Sequence, residues 1–458
     1  MADYQLIIIG AGLSGLAAGI RAARFGRKVL ILEQHWQPGG LNSYYYRHGH
    51  VLETGLHAMT NFAAPERKHA PLNRLLRQLK LSRRNFVTRQ QIGSEIVFPE
   101  HTLRFSNDLN MLIEEISSAF PYSTDDFLRL VDTIEGHDPF TGGPRRSARQ
   151  FVAGILRNRQ LEDMLLLPLM VYGNSEEHDM DLDQFVIMFQ AIFLEGFFRP
   201  ADTIRELLTM LVDQFSRFEG EIRYRTKVRK MEGDGRRFSG VVLESGEEIT
   251  CNNLLSTAGI PETARLAGWE LNIADYSGRM SFTETINLIP LKGKNNMKND
   301  RTIIFYNNRS AFDYCRPKEA IDPYWGVICF PDNFEGLGEA DPFQLRITNA
   351  ANYDAWRVST EEEYQRLKLE CRKQSGQQVA KIVGNYQEDV VYTDSFTPVT
   401  IERFTSKKWG AVYGSPVKFK DGRTPYDNLF IAGTDQGYLG IVGAMLSGAT
   451  IVNQHLLT

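Results

Sequence analysis

The sequence predicts an α/β chain. One parallel-sheet domain is assembled from separated segments, and a second, α+β domain is built from the stretches between them. Three observations carry this. A strand, glycine turn, helix and second strand follow one another from Leu6 to Glu33. Residues 71–214 then keep mostly helical periodicity, whereas strand-like patterns dominate after Glu221. Asn428–Leu446, NLFIAGTDQGYLGIVGAML, repeats the order of strand, glycine-rich turn and helix far along the chain.

Leu6–Ile9 is a run of apolar, mostly β-branched residues, the pattern of a strand buried on both faces. Gly10-Ala11-Gly12-Leu13-Ser14-Gly15 follows, a GxGxxG turn. The first glycine permits the tight turn, the second lets backbone approach a pyrophosphate, and the third lets helix pack on strand. LAAGIRAARFG reads as the helix, small on one side at Ala17, Ala18, Ala22 and Ala23, with Gly26 as its stop. Lys28–Leu32 reads as the second strand. Glu33 at its end suits ribose hydroxyls and would repel a 2′-phosphate. A helix N-terminus offers free N–H groups to phosphates, so the unit predicts a dinucleotide. Pro38-Gly39-Gly40, followed by Leu41-Asn42-Ser43, suits backbone that wraps a second part of a longer cofactor.

From Pro71 to Phe215, LNRLLRQLKL, DLNMLIEEISSAF, DDFLRLVDTIEG and IRELLTMLVDQF place apolar residues at three- and four-residue steps. At Ile222, Tyr224, Thr226 and Val228 the period becomes two. FSGVVLESGEEI reads as a hairpin through Ser245-Gly246. TINLIPL, RTIIFYN and WGVICF read as strands, and a charged helix covers about Thr360–Gly384. No repeat or low-complexity tract is present.

The 458 residues are 42% hydrophobic and 24% charged, which predicts a packed core rather than disorder. A net charge of −4 argues against a nucleic-acid partner. Cys251, Cys315, Cys329 and Cys371 form no CxxC pair and have no histidine pair at ligand spacing, so neither a metal site nor a disulfide framework is expected. A reducing, cytoplasmic location fits. The sequence lacks a basic segment ahead of its first apolar run, and no run reaches the ~18 apolar residues of a membrane-crossing helix.

The run Ile7–Gly40 resembles the N-terminal signature of the flavin-dependent amine oxidase and phytoene desaturase superfamily. GEIRYRTKVRKM followed by GVVLESGEEITCNNLLSTAG resembles its middle segment, and AGTDQGYLGIVGAMLSG resembles the closing signature of its carotenoid isomerases and retinol saturases. The resemblance implies an FAD-binding Rossmann-like (GR2-type) domain from residues 1–70, 215–275 and 400–458. It leaves 71–214, mostly helical, and 276–399, strand-rich, for the substrate domain. It implies FAD as cofactor, cradled by Gly10, Gly12, Leu13, Ser14 and Gly15, by Glu33 and Gln34, and by Gly39, Gly40 and Leu41. Val228 is then expected over the adenine. Gly433 and Asp435 fall to the ribityl or phosphate region, and Ile441 and Val442 to a helix N-terminus aimed at the N1–C2=O edge of the flavin. Reduction places negative charge on that edge, and a helix N-terminus stabilises it.

The same resemblance implies an oxidoreductase that moves hydride between a polyene or other isoprenoid carbon and flavin N5, in desaturation, saturation or cis/trans isomerisation. Gly55-Leu56-His57 stands where phytoene desaturases more often carry Gly-Pro and a small hydroxyl residue. His57 is the candidate catalytic group, against the alternative of a structural histidine beside the cofactor. Two other functions stay open: a flavin amine oxidase, and a non-enzymatic, prenyl-binding protein like the GDP-dissociation inhibitors. The electron donor or acceptor is left undetermined.

Phe185, Met188, Phe189, Ile192, Phe193, Phe197 and Phe198 form an apolar stripe, read either as core or as the wall of a hydrocarbon tunnel. Arg199-Pro200-Ala201-Asp202 replaces the Gly-Gly turn usual in related desaturases. Arg199 and Asp202 are expected to pair at a helix start or to face a polar substrate end. Arg145, Arg146, Arg149, Arg157 and Arg159 are a candidate contact with an anionic membrane surface, which would make the protein peripheral, or else a solvated cluster.

Overall fold

Two seven-stranded sheets organise the chain. The computed structural model describes residues 2–55, 57–141 and 143–457. In the first sheet, Tyr4–Ile9 runs parallel to Val29–Leu32 on one side and to Glu248–Ser256 on the other. Glu221–Arg223 extends it beyond Val29–Leu32, and Leu429–Ile431 pairs with the end of Glu248–Ser256. Parallel strands covered on both faces must be apolar throughout, and Ile7, Ile8, Leu30, Ile31, Leu254, Leu255, Leu429 and Ile431 have no exposure. Helices Leu13–Ala23, Ile204–Arg217 and Gly440–Ile451 contribute to the apolar core on one face. The hairpin of Val228–Gly233 and Phe238–Leu243 and the helix Ile260–Ala267 contribute to the other.

The second sheet runs in the order Tyr392–Phe396, Ser281–Ile289, Phe343–Ala351, Ile321–Cys329, Ile303–Asn307, Ser94–Val97, Thr102–Phe105. All its pairings are antiparallel except that of Ile303–Asn307 with Ser94–Val97. The helix Glu361–Val383 packs on one face through Val379 and Val383. The helices Leu109–Ala119, Thr124–Glu135, Ala148–Leu156, Arg159–Gly173 and Leu182–Phe189 close a core on the other.

The stretch 71–214 is mostly helical, with four short strands inside it, Thr88–Gln90, Ser94–Val97, Thr102–Phe105 and Phe198–Pro200. One local expectation needs correction: the alternation from Ile222 to Val228 is not one strand. Arg225 turns left-handed at φ 53°, so Glu221–Arg223 stays in the parallel sheet while Val228 starts the hairpin. The hairpin expected from FSGVVLESGEEI, Phe238–Leu243 against Glu248–Ser256, does turn through Gly246, at φ 90°. Thr360 caps the long charged helix by accepting from the Glu363 N–H at 3.2 Å.

Candidate functional site

The glycines singled out in the sequence converge on one space. Gly10 holds φ 104°, and a Cβ on Gly15 would strike the Gly10 carbonyl, so only glycine lets the first helix seat on the turn. Gly39 reaches back to donate its N–H to the Ala11 carbonyl at 3.0 Å and pairs with Gly12 as a short parallel bridge. A Cβ on Gly12 would meet nothing within 4 Å. The backbone of that turn therefore borders open space. Gly433 stands on its far side, where a Cβ would come 3.3 Å from Ser14 Oγ. Neither Leu13–Ala23 nor Gly440–Ile451 has a side-chain N-cap, which leaves first-turn N–H groups for a ligand. A space lined by bare backbone and two uncapped helix starts fits the phosphates and polar rim of FAD.

The polar residues assigned to this cradle divide. Glu33 is buried and accepts from Ala11 N–H at 2.7 Å and His35 N–H at 2.8 Å. A carboxylate has about four acceptor positions, so it keeps capacity for ribose hydroxyls. The backbone of Thr226 and Arg225 bonds that of Glu33 and His35, which sets Val228 beside that end of the cradle. The Gln34 side chain engages Ser406 Oγ at 2.9 Å instead. Ser14 is spent between helices, donating to the Ala444 carbonyl at 2.8 Å. Leu13, Ile441 and Val442 bury their side chains in the core, so only their backbone is available. Leu41 presents its carbonyl to Thr54 Oγ1 at 2.7 Å.

Asp435, like Glu33, accepts from backbone on both oxygens. Its oxygens accept from Ser415 N–H at 2.8 Å and Ile260 N–H at 2.5 Å. Burial works to raise this carboxyl, but Lys407 and Lys418 outweigh burial and hold it below the ordinary range. The carboxylate ties three segments together at the edge of the cradle. Burial in turn depresses Lys418 to about 8 against the pull of Asp435. Its ammonium donates to the carbonyls of Tyr413 and Thr434 at 2.9 and 3.0 Å.

His57 sits on a segment that links the cradle to the second sheet. At one end a Cβ on Gly55 would lie 2.6 Å from the Leu41 carbonyl. At the other, Thr60 Oγ1 lies 3.3 Å from where a Cβ on Gly440 would stand. Leu56 lies outside the described residues. His57 Nε2 is 2.9 Å from Glu284 Oε2 and 3.1 Å from Thr348 Oγ1. Glu284 is paired in turn with Arg346, whose side chain has no exposure and which also donates to the Glu53 carbonyl at 2.9 Å. Burial alone would raise the Glu284 carboxyl. Arg346, then His57, reverse that and keep it below the ordinary carboxylate range. With Glu284 ionised, Nε2 carries the proton; among the described residues Nδ1 has no hydrogen-bond partner.

Around this chain of charges the walls are apolar. The Tyr172 ring lies 6.3 Å from that of His57, 5.1 Å from Phe197 and 5.5 Å from Phe305. Its buried hydroxyl has no partner among the described residues, and burial lifts its pKa well above the usual value. The Cys329 thiol, pushed up to about 12 by burial, points at the His57 carbonyl. The sequence reading missed Glu284 and Arg346. Their signal was available: each is a lone charge in an apolar strand, SFTETINLI and FQLRITNAA.

Other expectations resolve plainly. Phe185, Met188, Phe189, Ile192, Phe193, Phe197 and Phe198 are all buried in the two cores, and Phe197 also backs Tyr172 beside His57. Arg199 is buried and pairs with Glu53 at 3.0 Å; it meets Asp202 only at the backbone carbonyl. Arg145, Arg146, Arg149 and Arg159 are matched by Glu176, Asp179, Asp183 and Asp163, so the cluster offers little net positive charge to a membrane. No helix of the described residues is long and apolar enough to cross one.

Comparison with known proteins follows the same lines. The profile of the flavin containing amine oxidoreductases matches residues 13–290, more than half of the chain. An all-trans-retinol 13,14-reductase of Danio rerio is 20% identical over 549 aligned positions, covering 99% of this chain and 87% of that protein. A chloroplastic prolycopene isomerase of Daucus carota is 41% identical over 61 residues, 13% of this chain and 10% of that one. A solved Methanosarcina mazei oxidoreductase superposes with a TM-score of 0.65 at 14% identity, covering 98% of this chain and 100% of its own. A putrescine oxidase variant gives 0.66 at 16%, with 99% and 98% covered. At such identities the superpositions establish the fold.

Proposed function

The chain belongs to the flavin containing amine oxidoreductase family and is an FAD-dependent oxidoreductase; on that premise we propose that its substrate is a polyene or related isoprenoid lipid, which it saturates, desaturates or isomerises. One observation carries this reading. Beside the cradle, the polar groups converge on one buried chain, His57–Glu284–Arg346 with Thr348 and the Tyr172 hydroxyl, set among Phe197 and Phe305. An apolar ligand needs apolar walls and few polar anchors. Names of relatives agree in kind: retinol and prolycopene are both polyenes.

FAD, when bound, supplies the hydride acceptor or donor. Gly10, Gly12, Gly39, Gly40 and Gly433 would lie along its phosphates, with Glu33 and Val228 at the adenosine end and the start of Gly440–Ile451 at the flavin end. The segments of the parallel sheet then form the FAD domain, and the second sheet with its helices the substrate domain. His57 handles the proton. Saturating a double bond requires a proton at the carbon opposite the hydride, and desaturation removes one there. Arg346 keeps Glu284 ionised, Glu284 holds Nε2–H and steadies the imidazolium, and Nδ1 is left to exchange a proton with substrate. Isomerisation needs no net proton from it.

The test is anaerobic incubation of the FAD-loaded protein with all-trans-retinol and with C30 and C40 polyenes, following flavin and polyene absorption together. Flavin bleaching with a lengthened polyene chromophore reports desaturation. Loss of polyene absorption by pre-reduced protein reports saturation, and a polyene shift at constant flavin redox state reports isomerisation. No response to any polyene, with peroxide released from simple amines in air, would replace this reading with the amine oxidase one.

A further inference from the structure

Three metal-ligating side chains meet outside the cofactor cradle. The loop between the helices Arg159–Gly173 and Leu182–Phe189 there faces the loop ahead of the strand Ile321–Cys329. His178 Nδ1, an Asp313 carboxylate oxygen and Cys315 Sγ all lie within 4.8 Å of one another. Cysteine spacing could not reveal this group, because His178 and Asp313 are 135 positions apart. Both loops are fixed by their backbones. The His178 N–H donates to the Tyr314 carbonyl at 2.7 Å, and the Arg316 N–H to Glu177 Oε1 at 2.8 Å. Arg149 straps the two together, donating to the carbonyls of His178 and Phe312 while it pairs with the buried Asp163. Asp163 in turn accepts from the Phe312 N–H at 3.2 Å. A scaffold fixed in this way presents its ligands without a large ordering cost.

The ligand side chains themselves stay open to solvent. Those of His178 and Asp313 are 66% and 58% exposed and pair with each other, Nδ1 to Oδ1 at 2.7 Å. An exposed ion pair contributes little to stability, so a metal ion can replace it at small cost. Around a tetrahedral zinc with bonds of about 2.0–2.3 Å the ligand atoms stand roughly 3.3–3.6 Å apart. The pair therefore has to part by only about 0.6 Å. Burial first, then the charges of Asp313, Glu177 and Asp322, push the Cys315 thiol up to about 12. The same negative surround attracts a dication, and a bound dication displaces the thiol proton. Imidazole, thiolate and carboxylate together suit zinc, whereas magnesium and calcium take oxygen ligands alone. We propose that His178, Asp313 and Cys315 bind a zinc ion, with water in the fourth position, and that the ion clasps the two loops together.

The experiment is calorimetric titration of the full-length FAD-loaded protein, first stripped with a chelator, with zinc chloride and separately with magnesium chloride. Saturable one-to-one binding of zinc is expected, with none of magnesium. Cys315→Ser or His178→Gln should weaken it at least about tenfold, and His69→Gln, which removes an exposed histidine elsewhere, should leave it unchanged. Alkylation of the native protein by N-ethylmaleimide, followed by peptide mass, supplies a second readout. The other three cysteines are buried, so Cys315 is the thiol within reach, and zinc should protect it. Two ligand variants guard against one that fails to fold, and each is checked by its melting temperature and flavin content. Absence of saturable zinc binding, undiminished alkylation of Cys315 in its presence, or wild-type affinity in the folded ligand variants overturns the site.

Discussion

With only 4% of its side chain exposed, Glu284 has no water to turn to, so its charge is tolerable only while Arg346 and His57 remain beside it. Glu284→Gln removes the carboxylate paired with the Arg346 guanidinium and should cost roughly 3–5 kcal/mol of stability, read from urea denaturation. The pH dependence has a definite sign. The folded-state pKa of Glu284 lies below the ordinary glutamate value of 4.5, so its contribution is complete above pH 4.5 and is lost as pH falls through the folded value. The deficit of the variant should therefore be constant from neutral pH to about 5 and narrow in more acid solution. His57→Gln should keep the flavin and lower turnover on a responsive substrate by about 10²–10⁴. His57 stood out in the sequence because a titratable group near a cofactor motif always invites attention. Glu284 and Arg346 did not, because a strand hides its partners: the two residues lie 62 positions apart and meet only through strand pairing.

Among the elements, the first turn separates two jobs that one motif describes. Gly15→Ala drives a Cβ into the Gly10 carbonyl and should destabilise the apoprotein as well as abolish its yellow colour. Gly12→Ala meets no protein atom within 4 Å, so the apoprotein should melt within a degree or two of wild type while FAD binding, followed by flavin fluorescence, weakens markedly. Local pattern made that turn legible, since strand, glycines and helix are contiguous. It also gave the hairpin at Gly246 and the helix from Thr360, whose signals are equally local. Ser94–Val97 and Thr102–Phe105 escaped. They are four residues each; Ser94–Val97 pairs with Ile303–Asn307, about two hundred positions away, and Thr102–Phe105 pairs with Ser94–Val97 in turn. The break at Arg225 escaped because alternation continues across it and only the left-handed turn reveals two different partners.

For the whole molecule, the parallel sheet is the consequence of distant segments sharing one core. Residues 1–70 supply its first two strands, but Glu248–Ser256 flanks Tyr4–Ile9 and Gly440–Ile451 packs on Leu13–Ala23 so closely that a Cβ on Gly448 would strike the Ser14 carbonyl. Expressed alone, residues 1–70 should therefore stay unfolded by circular dichroism and bind no FAD. The complete chain should gain about 2.7 kcal/mol from FAD at one hundred times its Kd, seen as a concentration-dependent rise in melting temperature.

Contiguous patterns alone determined the glycine turns, the apolar strands that follow or precede them, and hence a dinucleotide cofactor, because their physics acts over a few neighbouring residues; FAD itself came from the family resemblance. Only the tertiary structure decided how the polar residues are used. Ser14 is spent between helices, Asp435 joins three segments, and Glu284 and Arg346 are joined to His57. Burial and pairing set the fate of a charge, and both are properties of residues that meet in space rather than in sequence.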